Sequence, residues 1–552
     1  MLARALLSML VLTLAPSLRA EPPVIRFLPQ ASGAAALRGV AESIPLSRVD
    51  AVERLAVAIG LPARNQPELS ALLRELHDPA SPAYHAWLTP EAFTARFGPA
   101  EADYARLTAW AEAMGLRVVE TAPNRLMLNL SGTTADIEHA FGVRMHRYQH
   151  PSGRSFRSPD RPPSLDLDLP VATIDGLNDF CRPAPQAEPA GPGSAPVPNS
   201  GSGAGGTCMG QDFRAAYCAG VPATTNGAGQ NIALLQFSTY DHAGPRRYWM
   251  DAAMAAPAVT DVPVAGGALD SFGNAEVALD IEIAGAMAPG AHLFVYMGTD
   301  GNSILNRIAT DNTCRQVGIS WLWKTGAMDG PGSVDPTQDA IFRQMDAQGI
   351  ACFVSAGDSG PWSPGPGHAN AVNPADEPTV TCVGGTVLAT PAPGGPWSGE
   401  TAWPQGGGGS SRRYPLPAYQ AGMAWARIPG ASPNRRNAPD VAAIADNVYV
   451  DSGMPSGGQA QWGTSCGAPL WAAFSALANQ AAASQGKPAL GFLNPLLYRI
   501  GRGLGSGSAF HDITHGGDGR SAAPGFDLAT GWGSPVGQST LDALLAPPGG
   551  TP

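Results

Sequence analysis

Three short stretches carry groups able to do chemistry. The first is Gly273-Asn274-Ala275-Glu276-Val277-Ala278-Leu279-Asp280-Ile281-Glu282-Ile283, in which Glu276 and Asp280 stand at i and i+4 and so stack on one helix face. The rest of the stretch is apolar, so the helix is not a solvated charged surface. Two carboxylates buried side by side resist double ionisation; at least one pKa rises and the pair can share a proton. Glu282 points well around the helix from them. The second stretch is Ser355-Ala356-Gly357-Asp358-Ser359-Gly360, directly after an apolar run. Asp358 there reads either as a turn or capping residue or as a carboxyl at the mouth of a sheet. The third is Gly463-Thr464-Ser465-Cys466-Gly467-Ala468-Pro469, leading into a helix. Small neighbours leave the Ser465 hydroxyl exposed, and free N–H groups at a helix start can hold an anion; an N-cap role is the alternative.

A serine nucleophile needs a base. None of the ten histidines lies in a His-Gly-Thr segment of the subtilisin kind. Gly463-x-Ser465-x-Gly467 also matches the nucleophile elbow of esterases and lipases, which takes an acid and then a histidine downstream. Asp512 and His515 follow in that order, only three residues apart, and keep a Ser-His-Asp esterase open as the rival. A carboxylate base drawn from Glu276 and Asp280 is the better candidate.

These groups need a scaffold. Beyond residue 207 the chain alternates: strands at 232–237, 292–296, 317–321, 350–355 and 380–383, helices at 275–286, 336–348 and 469–480. Several of these strands are unbroken apolar runs, as expected of a parallel sheet covered by helices on both faces. Ligands of such sheets sit at the carboxyl ends of the strands, where Asp358 falls. Residues 183–206, rich in Pro, Gly and Ser, read as a linker. Its Gly201-x-Gly203-x-x-Gly206 has no strand before it and is compositional chance. Ahead of the linker, helices at 102–113 and 134–141 and strands at 117–120, 125–130 and 143–148 suggest a small α+β sandwich with no catalytic cluster. A cleavable-looking linker after such a unit fits a pro-segment.

Composition narrows the function. Charged residues are only 14% of 552 and the formal net charge is −11, which excludes the basic footprint of a nucleic-acid binder. A surface poor in carboxylates suits an acidic medium. Residues 1–20 combine Arg4, an apolar run too short for a bilayer and a small residue at 20, so they read as a signal peptide of an exported chain with no later membrane span. Export makes disulfides possible, with Cys208 and Cys218 the best local pair, although seven cysteines leave at least one unpaired. Cys466 reads as a small buried residue.

The three catalytic stretches, in this order, resemble the sedolisins, serine-carboxyl peptidases that look like subtilisins with Glu in place of His. The segment Leu76-His77-Asp78-Pro79-Ala80-Ser81-Pro82-Ala83-Tyr84-His85-Ala86-Trp87-Leu88-Thr89-Pro90-Glu91-Ala92-Phe93 is similar to the activation pro-domain of that family. The resemblance implies a subtilisin-like α/β domain (207–552) behind a pro-domain (21–182). It implies Ser465 as nucleophile, Glu276 as general base then acid, Asp280 as its partner and Asp358 in the oxyanion hole. An ionised Asp358 would repel the developing charge, so it must be protonated, which predicts an acidic optimum. Trp321, after Gly318-Ile319-Ser320, matches the strand beside the catalytic pair and reads as a packing or hydrogen-bonding residue. The resemblance also implies one Ca²⁺, held by carboxylates of Asp512 and Asp527 and carbonyls of Ile513, Ala523 and Gly525; the family usually has Gly at the position of Ala523. The expected protein is a secreted, monomeric, acid-active endopeptidase made as a zymogen, acting on protein or peptide substrates and blocked by its own pro-domain. A catalytically inactive secreted relative is the remaining alternative.

Overall fold

The computed structural model describes residues 25–27, 37, 39–180, 183–185, 188–189, 201–268, 270–323, 334–362, 373–504 and 509–547. The leader expected at 1–20, Cys181 and much of the linker lie outside them. In the larger unit the strands are β1 (Asn231–Gln236), β2 (Ala258–Pro263), β3 (His292–Met297), β4 (Gln316–Ile319), β5 (Ala351–Ser355), β6 (Thr381–Ala389), β7 (Gly399–Ala402) and β8 (Val441–Ile444). They form one sheet in the order β2-β3-β1-β4-β5-β6-β7, with β8 also pairing β6. Every pairing is parallel except β6 with β7. β4 and β5 are buried along their whole length, as covering on both faces demands.

Four helices matter for the site: α1 (Asn274–Met287), α2 (Gly301–Asp311), α3 (Pro336–Ala347) and α4 (Gly467–Ser484). α1 packs on α4, which lies along β4, β5 and β6, while α2 packs on α3. α1 is buried nearly all round, including both carboxylates of the i, i+4 pair. The chain leaves β1 for β3 on one side and places β4 on the other, so the strand order reverses between β1 and β4. Ligands of such sheets usually bind at this reversal, at the carboxyl ends of the two strands.

Among the described residues the preceding unit holds two larger antiparallel sheets and a two-stranded one that pairs Ile25–Phe27 with Ser164–Asp166. Of the larger two, one runs Arg117–Thr121, Met127–Thr133, Arg54–Gly60, Thr173–Asp175, and the other Ile44–Arg48, Met145–Gln149, Ser155–Pro159. Its core joins Val57, Ile59, Leu107, Leu128, Leu130, Ile137 and Phe141. Helix Thr134–Phe141 begins in a Thr133/Asp136 capping box and stops at Gly142, whose φ of 63° suits glycine. The sequence expectation missed helices Gln66–His77 and Pro90–Phe97. Leu69, Leu72, Leu76, Phe93 and Phe97 of these helices join the core of the larger unit instead. Polar groups complete this interface. His77 Nε2 meets Asp346 Oδ1 at 2.6 Å, and Trp87 Nε1 donates to the Ala489 carbonyl at 2.8 Å. Asn124 Nδ2 donates to Asn306 and Gln344, and Arg307 pairs with Glu120.

One expectation is corrected. Cys218 is free and buried, as are Cys314, Cys352, Cys382 and Cys466, so it does not pair with buried Cys208. Helix Gln211–Tyr217 stands between Cys208 and Cys218, and its seven residues span about 10 Å. A disulfide reaches only about 7 Å between Cα atoms. No helix among the described residues is long and apolar enough to cross a membrane.

Candidate active site

The site is built from the ends of β1 and β4, the start of α1, the turn after β5 and the turn before α4. Glu276 and Asp280 are 1% and 0% exposed, so the carboxylates do lie inside the protein. Asp280 accepts hydrogen bonds from Gln236 Nε2 at 2.7 Å and Ser320 Oγ at 2.6 Å. Gln236 ends β1 and Ser320 follows β4, so the two strands flanking the switch point hold this carboxylate from both sides. Burial pushes Asp280 up to about 7, and the two hydrogen bonds to its ionised form act in the opposite direction. Trp321 Nε1 donates to Gln236 Oε1 at 2.6 Å and orients the amide that donates to Asp280.

Ser465 sits in a 3₁₀ turn, Thr464–Cys466, that runs without a break into α4. Gly463, with φ of 138°, supplies the turn geometry that side chains disfavour, and Gly467 lets α4 start close against Val383 of β6. Ser465 Oγ donates to the Ser320 carbonyl at 3.2 Å, and Ser320 Oγ lies 3.2 Å from the Ser465 carbonyl. Ser320 therefore joins Asp280 to the serine turn. Asp358, half-buried after β5, accepts on Oδ1 from Thr464 N–H at 2.8 Å and Thr464 Oγ1 at 2.7 Å. The Gly357 N–H donates to Thr464 Oγ1 at 3.0 Å. Both turns are thus locked together through Thr464. Burial pushes the thiol of Cys466, next along the chain, well up, and the charges of Glu276, Asp358, Asp446 and Asp280 act in the same direction. An inert thiol in the middle of the cluster is what a structural cysteine requires.

All four expected site residues converge on this turn. Gln236, Ser320 and Thr464 were not singled out from the sequence. Their neighbours Trp321 and Ser465 were the available signal, but strand register alone decides which side chain meets Asp280. Glu282 on the same helix is also fully buried and faces elsewhere, accepting the Asp451 N–H while Asp451 pairs with Arg247. The rival residues are not in this network: His515 is exposed with Nδ1 on Thr514, and Asp512 accepts from the Gly525 N–H.

The C-terminal loop brings Asp512 against Gly525 and Asp527 against Ala523. Asp512 Oδ2 takes the Gly525 N–H at 2.9 Å and Asp527 Oδ2 the Ala523 N–H at 2.8 Å. Both carboxylates therefore lean over the Ala523–Gly525 backbone, while Ile513 follows Asp512. Burial pushes Asp527 up to about 6, against hydrogen bonds from the Ala523, Thr530 and Ala529 N–H groups and the Thr530 hydroxyl. Asp512 and Asp527 are hard oxygen donors of the kind Ca²⁺ takes, brought onto one short stretch of backbone.

The parallel sheet with Ser465 on a turn beside its switch point is an arrangement suited to a serine-type peptidase. Comparison with known proteins agrees. Residues 42–180 match the family model "Pro-kumamolisin, activation domain". Kumamolisin of Bacillus sp. (strain MN-32) is 33% identical over 547 residues, covering 92% of this chain and 95% of its own. Tripeptidyl-peptidase 1 of Mus musculus is 26% identical over 553 residues, covering 91% and 94%. Pseudomonas sedolisin, a serine-carboxyl proteinase solved with two molecules of pseudo-iodotyrostatin, superposes with a TM-score of 0.51 at 23% identity over 60% of this chain and 96% of its own. The chain belongs to the sedolisin family of serine-carboxyl peptidases and carries that family's activation pro-domain.

Proposed function

We propose that this protein is an acid-active endopeptidase, exported through a signal peptide at 1–20 and matured by cutting in the linker 183–206. Ser465 is the nucleophile. Glu276 takes its proton as the Oγ–carbon bond forms and passes it to the leaving amine, and a water then releases the acyl group by the reverse sequence. Asp280, gripped by Gln236 and Ser320, orients Glu276 and shares its proton. Asp358 keeps Oδ1 on Thr464 and offers its other oxygen, protonated, to the developing oxyanion. A carboxyl donor works only below its own pKa, so the basic limb of activity reflects loss of this proton and over-ionisation of the Glu276–Asp280 pair. The observation that carries the reading is Ser320, hydrogen-bonded at once to Asp280 and to the Ser465 backbone.

Asp512 and Asp527, with carbonyls of Ile513, Ala523 and Gly525, would hold one Ca²⁺, which supplies positive charge to the buried Asp527 and ties the loop. Acidifying the purified precursor tests the proposal. The wild type matures and cleaves peptides; a Ser465→Ala precursor that still matures by itself and cleaves peptides would sink it.

A further inference from the structure

The pro-domain meets the larger unit at a place far from Ser465. Trp87 lays its indole on a floor made of two glycines from that unit: a Cβ on Gly349 or on Gly491 would come within 2.5 Å of the ring. Both glycines have positive φ, 70° and 66°, a conformation that side chains disfavour, so the floor stays flat. Three polar contacts fix the segment around it. The indole N–H donates to the Ala489 carbonyl at 2.8 Å, and the next backbone N–H, that of Leu88, donates to the Ala347 carbonyl at 2.8 Å. His77, its ring 5.6 Å from the indole, meets Asp346 Oδ1 at 2.6 Å. The floor is held by the larger unit's own bonds. The Gly349 N–H returns to the Asp346 carbonyl and the Ile350 N–H to that of Met345, closing the end of α3. Asn479 of α4 accepts the Leu490 N–H and donates to Gln316 at the start of β4. Loss of the pro-domain would therefore leave a preformed apolar floor, two carbonyls without their donors and a carboxylate parted from its imidazole. Gly349 lies ahead of β5 and Asp358 beyond it, so the five residues of that strand, about 17 Å, stand between this floor and the serine turn.

We infer that this floor is a second substrate site of the mature peptidase, remote from Ser465, and that it takes a tryptophan side chain of an unfolded polypeptide. The inference rests on the peptidase reading above and on loss of the pro-domain after the linker is cut. The ligand chemistry follows from the contacts that Trp87 makes. A flat ring must cover both glycines, and its N–H must reach the Ala489 carbonyl, which selects indole over phenyl. The residue after it must offer a backbone N–H to the Ala347 carbonyl, which excludes proline there. Asp346 favours a cationic group beside the ring. Tryptophan is largely buried in folded proteins, so such a site selects chains that have lost their fold. Holding one segment of a chain here raises the effective concentration of the rest of it at Ser465. The site thus lowers KM for long, tryptophan-bearing substrates and leaves the chemistry at Ser465 unchanged.

The test takes acid-matured enzyme and two substrates: a reduced, alkylated protein whose single tryptophan lies at least about ten residues from the first bond cut, and a short tryptophan-free peptide. Replacing that tryptophan by alanine should raise the protein's KM at least about threefold with kcat unchanged. Millimolar N-acetyl-tryptophan N-methylamide should raise the KM of the tryptophan-bearing protein by a similar factor and leave the short peptide untouched. The phenylalanine analogue, which lacks the ring N–H, should compete far less. Gly491→Ala, which puts a methyl where the indole lies, should erase the difference between the two proteins; if that precursor does not fold, the competition in wild type still decides. Equal KM for the two proteins, an amide that inhibits the short peptide as strongly, a Gly491→Ala enzyme that keeps the difference, or a pro-domain still bound at the working pH would overturn the inference. Turnover of the short peptide reads the peptidase function separately. Turnover without the KM difference removes the second site alone, whereas no turnover of either substrate removes both.

Discussion

Helix α1 carries three buried carboxylates, and they differ in what surrounds them. Glu282 accepts a backbone N–H from Asp451, beside the Arg247–Asp451 pair, on a side of the helix away from Ser465. Asp280 accepts two side-chain donors, one of which also bonds the serine turn, and Glu276 shares its face. Burial raises both Asp280 and Glu282 above the ordinary carboxylate range. Burial alone therefore does not mark the working group. What separates them is whether the partners of the carboxylate lead to Ser465 or to the scaffold.

That contrast is open to attack by substitution. Ser465→Ala should abolish turnover, by at least about a thousandfold in kcat/KM, and leave the precursor intact. Glu276→Gln keeps size and removes the base, so kcat should fall by about 10²–10⁴ with far less change in KM. Glu282→Gln should leave kcat/KM within about threefold, because Gln still accepts the Asp451 N–H; an equal loss in both variants would erase the distinction.

Stability against pH sharpens the comparison further. A carboxyl whose folded pKa lies above its unfolded value near 4 binds its proton more tightly when folded. The stability it contributes is full below that unfolded value and is lost as pH rises through the folded one. Asp280, at about 7, places this loss between about pH 4 and 7, and Glu282 acts in the same direction. Thermal unfolding should therefore shift to lower temperature across that range, and Glu282→Gln, a mimic of the protonated side chain, should flatten the slope without altering the pH–rate profile. Ser320→Ala removes a donor that favours ionised Asp280, so the basic limb of the profile should move to higher pH while kcat drops. The smallest effect expected is from chelating calcium or Asp527→Asn: a lower unfolding temperature, with kcat of the remaining folded enzyme unchanged.

The parallel sheet was readable because its strands are near-continuous apolar runs, and α1 because an apolar helix holding Glu276 and Asp280 has no solvated face. Its ends shifted by a residue or two. Helix α2 was not recognised: Gly301-Asn302-Ser303 opens it with weak formers, and its start depends on Asp300 accepting the Ser303 N–H. Helices Gln66–His77 and Pro90–Phe97 escaped for another reason, since their apolar faces are matched by a different unit of the chain. Ser465, Asp358 and the carboxylate pair stood out by residue type and place. Gln236 and Ser320 did not, because a strand end becomes a ligand of Asp280 only once β1 and β4 are side by side. The Cys208–Cys218 pairing failed on helix geometry that spacing in sequence hides.

The most direct measurement is fluorophosphonate labelling at acidic pH followed by peptide mapping. The account predicts label on Ser465, slowed strongly in Glu276→Gln and unaffected in Glu282→Gln and His515→Ala. Label absent from Ser465, or lost with His515→Ala while Glu276→Gln labels normally, would contradict a carboxylate-activated serine.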